Sequence, residues 1–227
     1  AGAPLDDFYG INNRVHLAEA ETIMRRRVAE RHMLAGVTII DPATTYIDNT
    51  VQLGIDTTIY PLSIIRGNTV IGEGCEIGPN VHVVNSRLGN RVRLRQATME
   101  DAIADDEVSI GPYAYVRPQS VVRKGARLGT FVEIARSDVG ENVQVPHLNY
   151  LGDAHVGADS YIGAGSLTCN YDGMTRHRTE VGDGVFIGVN SILVAPLRIP
   201  DGVRAPRQSM LVAGQDFPKP EPAPAAA

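Results

Sequence analysis

The sequence predicts an all-β fold, a left-handed parallel β-helix of hexapeptide repeats preceded by one α-helix, and three observations predict it. Aliphatic residues fall six apart from Ile47 through Leu53, Ile59, Ile65, Ile71 and Ile77 to Val83. Glycine often follows the aliphatic, as in Leu53-Gly54, Ile71-Gly72, Ile77-Gly78, Leu128-Gly129 and Ile187-Gly188. The 227 residues include no tryptophan and only 5% aromatics, so the interior is expected to be narrow and filled by aliphatic side chains.

The six-residue beat resumes at Leu88 and Leu94 after a one-residue slip. It returns as Ile110, Val116, Val122, Leu128 and Ile134, and again as Val181, Ile187, Leu193 and Ile199. A period of six is neither the 3.6 of a helix nor the plain alternation of long strands. It fits short strands around a triangular coil, each contributing one inward aliphatic, with Gly, Asn and Asp turning the corners where a positive φ is easy for them. One coil cannot bury its own face, but a stack of coils can. At about 1.5–3 kcal/mol per buried aliphatic, the ladder is the main stabilising contribution.

Three segments are expected: residues 1–36 with a helix, 37–203 as the β-helix, and 204–227 as a divergent tail. Asn12 or Asn13 can cap a helix running to about Leu34, with Gly36 as its stop. Leu17, Ala20, Met24 and Val28 follow three- and four-residue steps along one face of it. Arg25, Arg26, Arg27 and Arg31 on the same helix read as a solvated face with partners such as Glu21 and Glu30. Gln96 to Glu107 is polar and acidic and reads as a loop. Asn170 to Glu180 reads as an insertion extruded from the solenoid, where function concentrates. The Pro- and Ala-rich end from Phe217 is expected to be disordered.

A net charge of -5 gives no support for nucleic acid as the main partner. No apolar run approaches the roughly 20 residues that span a bilayer, and the first seven residues lack the regions of a signal peptide, so a cytoplasmic location without membrane partners is expected. Cys75 and Cys169 are too few for a disulfide framework and read as reduced, packed thiols. The six histidines show no converging ligand spacing, so no metal site is expected. His147 stands out in Val145-Pro146-His147-Leu148-Asn149-Tyr150-Leu151-Gly152-Asp153 as a base available at a coil edge, although a lone histidine more often serves structure.

Several strings, in order, carry a more specific resemblance. They are Asn13-Arg14-Val15-His16-Leu17-Ala18-Glu19, Val116-Arg117-Pro118, Phe131-Val132-Glu133, His147-Leu148-Asn149-Tyr150-Leu151-Gly152-Asp153-Ala154, Ile162-Gly163-Ala164-Gly165, Thr168-Cys169-Asn170-Tyr171-Asp172-Gly173 and Leu193-Val194-Ala195-Pro196. From Asn12 to Pro196 the chain resembles the acetyltransferase part of the bacterial bifunctional N-acetylglucosamine-1-phosphate uridyltransferase/glucosamine-1-phosphate acetyltransferase family. The resemblance implies transfer of acetyl from acetyl-CoA to the amine of glucosamine 1-phosphate, on the route to UDP-N-acetylglucosamine, by a homotrimer with sites between subunits. It implies His147 as general base and Arg117, Glu133, Tyr150, Tyr161 and Arg176 as substrate-binding positions. Ala164, Asn170, Tyr171 and Val189 match positions near the acetyl group and the CoA thiol arm.

Departures fall in the same places. The family's lysine after Phe-Val-Glu-x is Ala135, with Arg136 beside it; a sugar-binding asparagine is Tyr161; a serine facing the acetyl group is Val189. After Pro196 the family's Ala-Ala-Gly-Ser-like string and later arginine give way to Pro200 through Ser209, with Arg204 and Arg207 as candidate phosphate partners, so weak CoA binding is expected. No Gly-rich nucleotide segment precedes the helix, so the chain is not expected to make the UDP-sugar by itself. Two alternatives stay open: another hexapeptide acyltransferase with a different acceptor, and a decayed trimeric scaffold.

Overall fold

The computed structural model describes residues 10–217. One helix, Arg14–Leu34, is followed by short strands in three parallel sheets of ten, ten and nine strands. Each coil gives one strand to each sheet in turn. Sheet A runs from Thr38–Ile39 to Arg204–Ala205, sheet B from Tyr46–Ile47 to Met210–Leu211, and sheet C from Gln52–Leu53 to Leu197–Ile199. The ladder is in register throughout: Ile59 pairs Ile77, Ile77 pairs Leu94, and Leu94 pairs Ile110. The hexad aliphatics point inward and are almost all buried, Ile59, Ile65, Ile71, Ile77, Leu128, Ile134 and Ile187 fully so.

The glycine after the aliphatic has a steric reason. A Cβ on Gly54 would lie 2.5 Å from the carbonyl carbon of Gly72 in the next coil, so the corner backbones stack too closely for a side chain. The small polar position two before the inward residue satisfies the coil: Thr57, Ser137, Ser160 and Ser166 are buried, and their hydroxyls bond backbone carbonyls of their own or the next coil.

The helix starts where expected. The Asn13 side chain accepts from the His16 N–H at 2.9 Å, and Gly36 ends the helical segment at φ 93°. Its apolar face is a correction. Among the described residues only Val28, Ala29 and His32 are buried on it, while Leu17 is 52% and Met24 48% exposed. The helix caps the first coil with its last turns, and its first half extends past the prism. Of the arginines, Arg26 pairs Glu30 at 2.8 Å, Arg25 lies 4.3 Å over the Tyr46 ring, and Arg31 bonds Asn49.

Three further expectations change. Residues 96–107 are not a loop: Thr98–Glu100 and Ile103–Ala104 are strands of sheets B and C. The beat merely shortens to five here. Met99 and Ala104 fill the inward positions, paired with Val83 and Leu88, and the small Ala104 hides the period. The ladder also continues between Ile134 and Val181, through Val139, Val145, Leu151, Val156, Ile162 and Thr168. The coil does not end at 203, because Arg204–Ala205 pairs Phe186–Ile187 and Met210–Leu211 pairs Ile192–Leu193. Pro200, which has no N–H to donate, is tolerated because it follows Leu197–Ile199, the terminal strand of sheet C among the described residues, where no next strand offers a carbonyl for such a bond. Phe217 packs against the core, and residues 218–227 lie outside the described residues, with them nearly all of the tail expected to be disordered. The described helix is not long and apolar enough to cross a membrane.

Candidate functional site

Strand Gln144–His147 of sheet A ends at the edge between sheets A and B, Leu148 turns the corner at φ 58°, and Tyr150–Gly152 continues on sheet B. Successive coils repeat this corner. Leu148 N–H donates to Thr130 O, Gly165 N–H to His147 O, Asn190 N–H to Ala164 O and Gln208 N–H to Val189 O. Thr130, His147, Ala164, Val189 and Arg207 therefore form one column along the A–B edge. The turning residues beside them, from Phe131 to Gln208, have φ between 55° and 73°. His147 is exposed, and its ring bonds no protein group among the described residues. Behind it, the buried Asn149 amide donates to Gly163 O at 2.8 Å and Ser166 O at 3.1 Å, tying this corner to the next coil.

Sheet B carries the next set. The Arg117 guanidinium donates to the Glu133 carboxylate at 2.8 Å and lies 5.5 Å from the Tyr115 ring centroid, while the Tyr115 hydroxyl donates to Glu100 at 2.6 Å. That bond to Glu100 holds the Tyr115 phenol above its ordinary pKa, and Glu133 keeps Arg117 firmly protonated. Tyr115, Glu133 and Tyr150 stack in one outward column. In the adjoining column Ala135 pairs Gly152, and both are buried. Tyr150 lies over Gly152, since a Cβ there would stand 2.7 Å from the Tyr150 Cζ and 2.8 Å from the Asn170 Nδ2.

Arg136, considered as a stand-in for the missing lysine, is engaged elsewhere. It turns the B–C corner at φ 49° and grips the Asp153 carboxylate with two hydrogen bonds of 2.7 and 2.9 Å. Asp153 also accepts from the Asn170 side chain, and Arg136 holds its carboxyl below the usual range. From that corner the insertion leaves the coil as a self-tied hairpin. Tyr171 bridges Arg176, and the Asp172 carboxylate accepts the N–H groups of Met174 at 2.8 Å and Thr175 at 2.7 Å and pairs His177 at 2.7 Å. These bonds, the Thr175 N–H foremost, hold the Asp172 carboxyl far below the usual range. Tyr171 and Arg176 are exposed and Met174, 89% exposed, forms the tip.

Tyr161 lies on the outer face of sheet A, stacked on Phe186 at 5.3 Å with an 8° interplanar angle, and the Arg204 guanidinium covers Phe186 at 4.8 Å. One chain thus unites His147, Ala164 and Val189 at the A–B edge, with Arg117, Glu133 and Tyr150 beside them on sheet B. It leaves Asn170, Tyr171 and Arg176 at the opposite margin of that sheet and Tyr161 on sheet A. Sequence reasoning assigned no role to Asp153, Tyr115 or Glu100, whose partners stand one coil away in sequence. Among the described residues no group of three His, Cys, Asp or Glu side chains could hold a metal ion, and both cysteines are free.

Residues 50–85 match the family described as bacterial transferase hexapeptide (six repeats). The chain is 47% identical over 194 residues to the bifunctional protein GlmU of Syntrophomonas wolfei subsp. wolfei, covering 86% of this chain and 43% of that protein. It is 49% identical over 197 residues to GlmU of Geobacillus thermodenitrificans, covering 87% and 43%. The chain therefore spans less than half the length of the curated relatives it matches. In fold it is similar to the crystal structure of Arabidopsis UDP-N-acetylglucosamine acyltransferase, with a TM-score of 0.53, 16% identity, and coverage of 75% of this chain and 69% of that one. With a three-sheet coil, an extruded loop at one corner and relatives at nearly half identity, this chain is a left-handed hexapeptide-repeat β-helix homologous to the C-terminal half of the bifunctional GlmU proteins.

Proposed function

We propose that the chain is a glucosamine-1-phosphate N-acetyltransferase using acetyl-CoA. One observation carries the reading: His147 stands exposed in an edge column that continues through Ala164 and Val189, with Arg117, Glu133 and Tyr150 on the adjoining sheet. The relatives' identity over most of the chain supports it.

In this account the His147 imidazole takes the proton as the sugar amine attacks the thioester carbonyl, and the Val189 backbone N–H at the same edge supplies an oxyanion donor. The new bond joins the amine nitrogen to the acetyl carbon, and the thiolate of CoA leaves. The Arg117 fork suits the sugar phosphate, and Glu133 holds that fork in place. Asn170, Tyr171 and Arg176 lie across sheet B from His147, so a homotrimer with the site between subunits is the arrangement that brings the two margins together. No metal is needed for this chemistry.

The test is product analysis after incubation with acetyl-CoA and glucosamine 1-phosphate. N-acetylglucosamine 1-phosphate in the mass spectrum supports the reading, and its absence from a folded protein sinks it. A second acceptor is favoured by one feature, the Tyr161–Phe186 stack in place of an amide that would meet the sugar. A panel of amino sugars with and without the phosphate separates the two readings.

A further inference from the structure

We infer that Asp153 is a positioning residue of this site, clamping the base of the extruded 170–178 loop and coupling it to Tyr150 through Arg136. The inference rests on the acetyltransferase reading for its kinetic arm. Both ends of the loop meet at this one residue. The side chain of Asn170, where the loop leaves the coil, donates to the Asp153 carboxylate. The backbone N–H of Thr179, where the chain re-enters sheet C, donates to the Asp153 carbonyl at 3.2 Å. The carboxylate also takes the Arg136 fork at 2.7 and 2.9 Å, with the Tyr150 phenol among the electrostatic neighbours of that guanidinium, and the Tyr150 ring and the Asn170 amide meet over Gly152. The Asn170 backbone carbonyl in turn accepts the His177 N–H at 2.8 Å, continuing the tie into the hairpin that presents Tyr171 and Arg176.

The Asp153 and Arg136 side chains are only 18% and 26% exposed, so these charge-assisted bonds are sheltered from water. Asp153 and Arg136 both turn the B–C corner with positive φ, one directly above the other, so the coil itself fixes their approach. It follows that Arg136 is not available as a free cation for the acceptor phosphate. Its part is to hold the Asp153 carboxylate beside Tyr150, while Asp153 holds the loop root.

The experiment uses the full chain with Asp153→Asn, Asn170→Ala and Arg136→Ala, read by limited trypsin digestion and steady-state kinetics. Trypsin can cut after Arg176 and Arg178 in the loop. Asp153→Asn and Asn170→Ala are expected to speed those two cuts about tenfold through local opening, with no new cuts in the coil. Arg136→Ala leaves the loop root tied and should not speed them. Asp153→Asn and Arg136→Ala are expected to raise the KM for glucosamine 1-phosphate about tenfold, with kcat and the KM for acetyl-CoA little changed, while Asn170→Ala, at a position matched to the CoA thiol arm, is read by digestion alone. Loop cleavage at the wild-type rate in both Asp153→Asn and Asn170→Ala overturns the clamp, as does cleavage spread evenly through the coil. Should Asp153→Asn fail to fold, Asn170→Ala carries the test. The digestion arm needs no turnover, so an inactive wild-type protein sinks the acetyltransferase reading and still leaves the clamp decided.

Discussion

Gly152 sits beneath the Tyr150 ring, and a methyl group there would stand 2.7 Å from the phenol carbon and 2.8 Å from the Asn170 amide. Gly152→Ala is therefore predicted to displace both side chains and lower kcat/KM about tenfold or more, with a destabilisation of about 1–3 kcal/mol. Kinetics alongside thermal melting checks this, and an unchanged kcat/KM would contradict the packing described. Ile134 is fully buried in the inward ladder, so Ile134→Ala is predicted to cost about 2–5 kcal/mol, read as a lower denaturant midpoint at unchanged slope. Ile134 was legible in the sequence because its neighbours repeat every six residues. Asp153 was not, because Arg136 and Asn170 are each 17 residues away, a spacing that means contact only once the coil length is known.

At the scale of elements, sheet C, the B–C corner and the loop are held by ionised carboxylates. Asp138 takes the Arg123 fork at 2.9 and 2.7 Å, Asp153 takes that of Arg136, and Asp172 is ringed by loop donors. All three carboxyls are held below their ordinary range, the arginine hydrogen bond leading for the first two and the Thr175 N–H for the third. A folded-state pKa below the unfolded value of about 3.9 stabilises the fold fully above that pH, and the contribution fades as pH falls through the folded values. Stability should thus be flat in these groups near neutrality and decline below about pH 4. Asp138→Asn is predicted to narrow the gap between urea midpoints at pH 3 and pH 7, and an unchanged gap would contradict it. The extruded loop was legible at this scale, because it breaks an otherwise regular beat. The strands at 98–104 were not, because a step of five and a small inward alanine erase the aliphatic signal.

Over the whole molecule, the ladder runs through all three sheets with the helix at one end and Phe217 packed near the other. The period, the aliphatic interior and the presence of the helix were readable from residue spacing, whereas its packing face was not. The division of site residues between the two margins of sheet B was not, because it depends on which corner each coil turns. That division leads to the prediction of a trimer, so light scattering on the eluted protein should give three chain masses, and a monomer at working concentration would leave the site unassembled. The central claim is that His147 is the base of an acetyl transfer. Its most direct test is the rate of thiol release from acetyl-CoA with glucosamine 1-phosphate, for the wild-type chain and His147→Ala. The account predicts turnover in the wild type that falls about 10²–10⁴-fold in a folded mutant. Equal rates in the two proteins, or no release by a well-folded wild type at high acetyl-CoA, would contradict it.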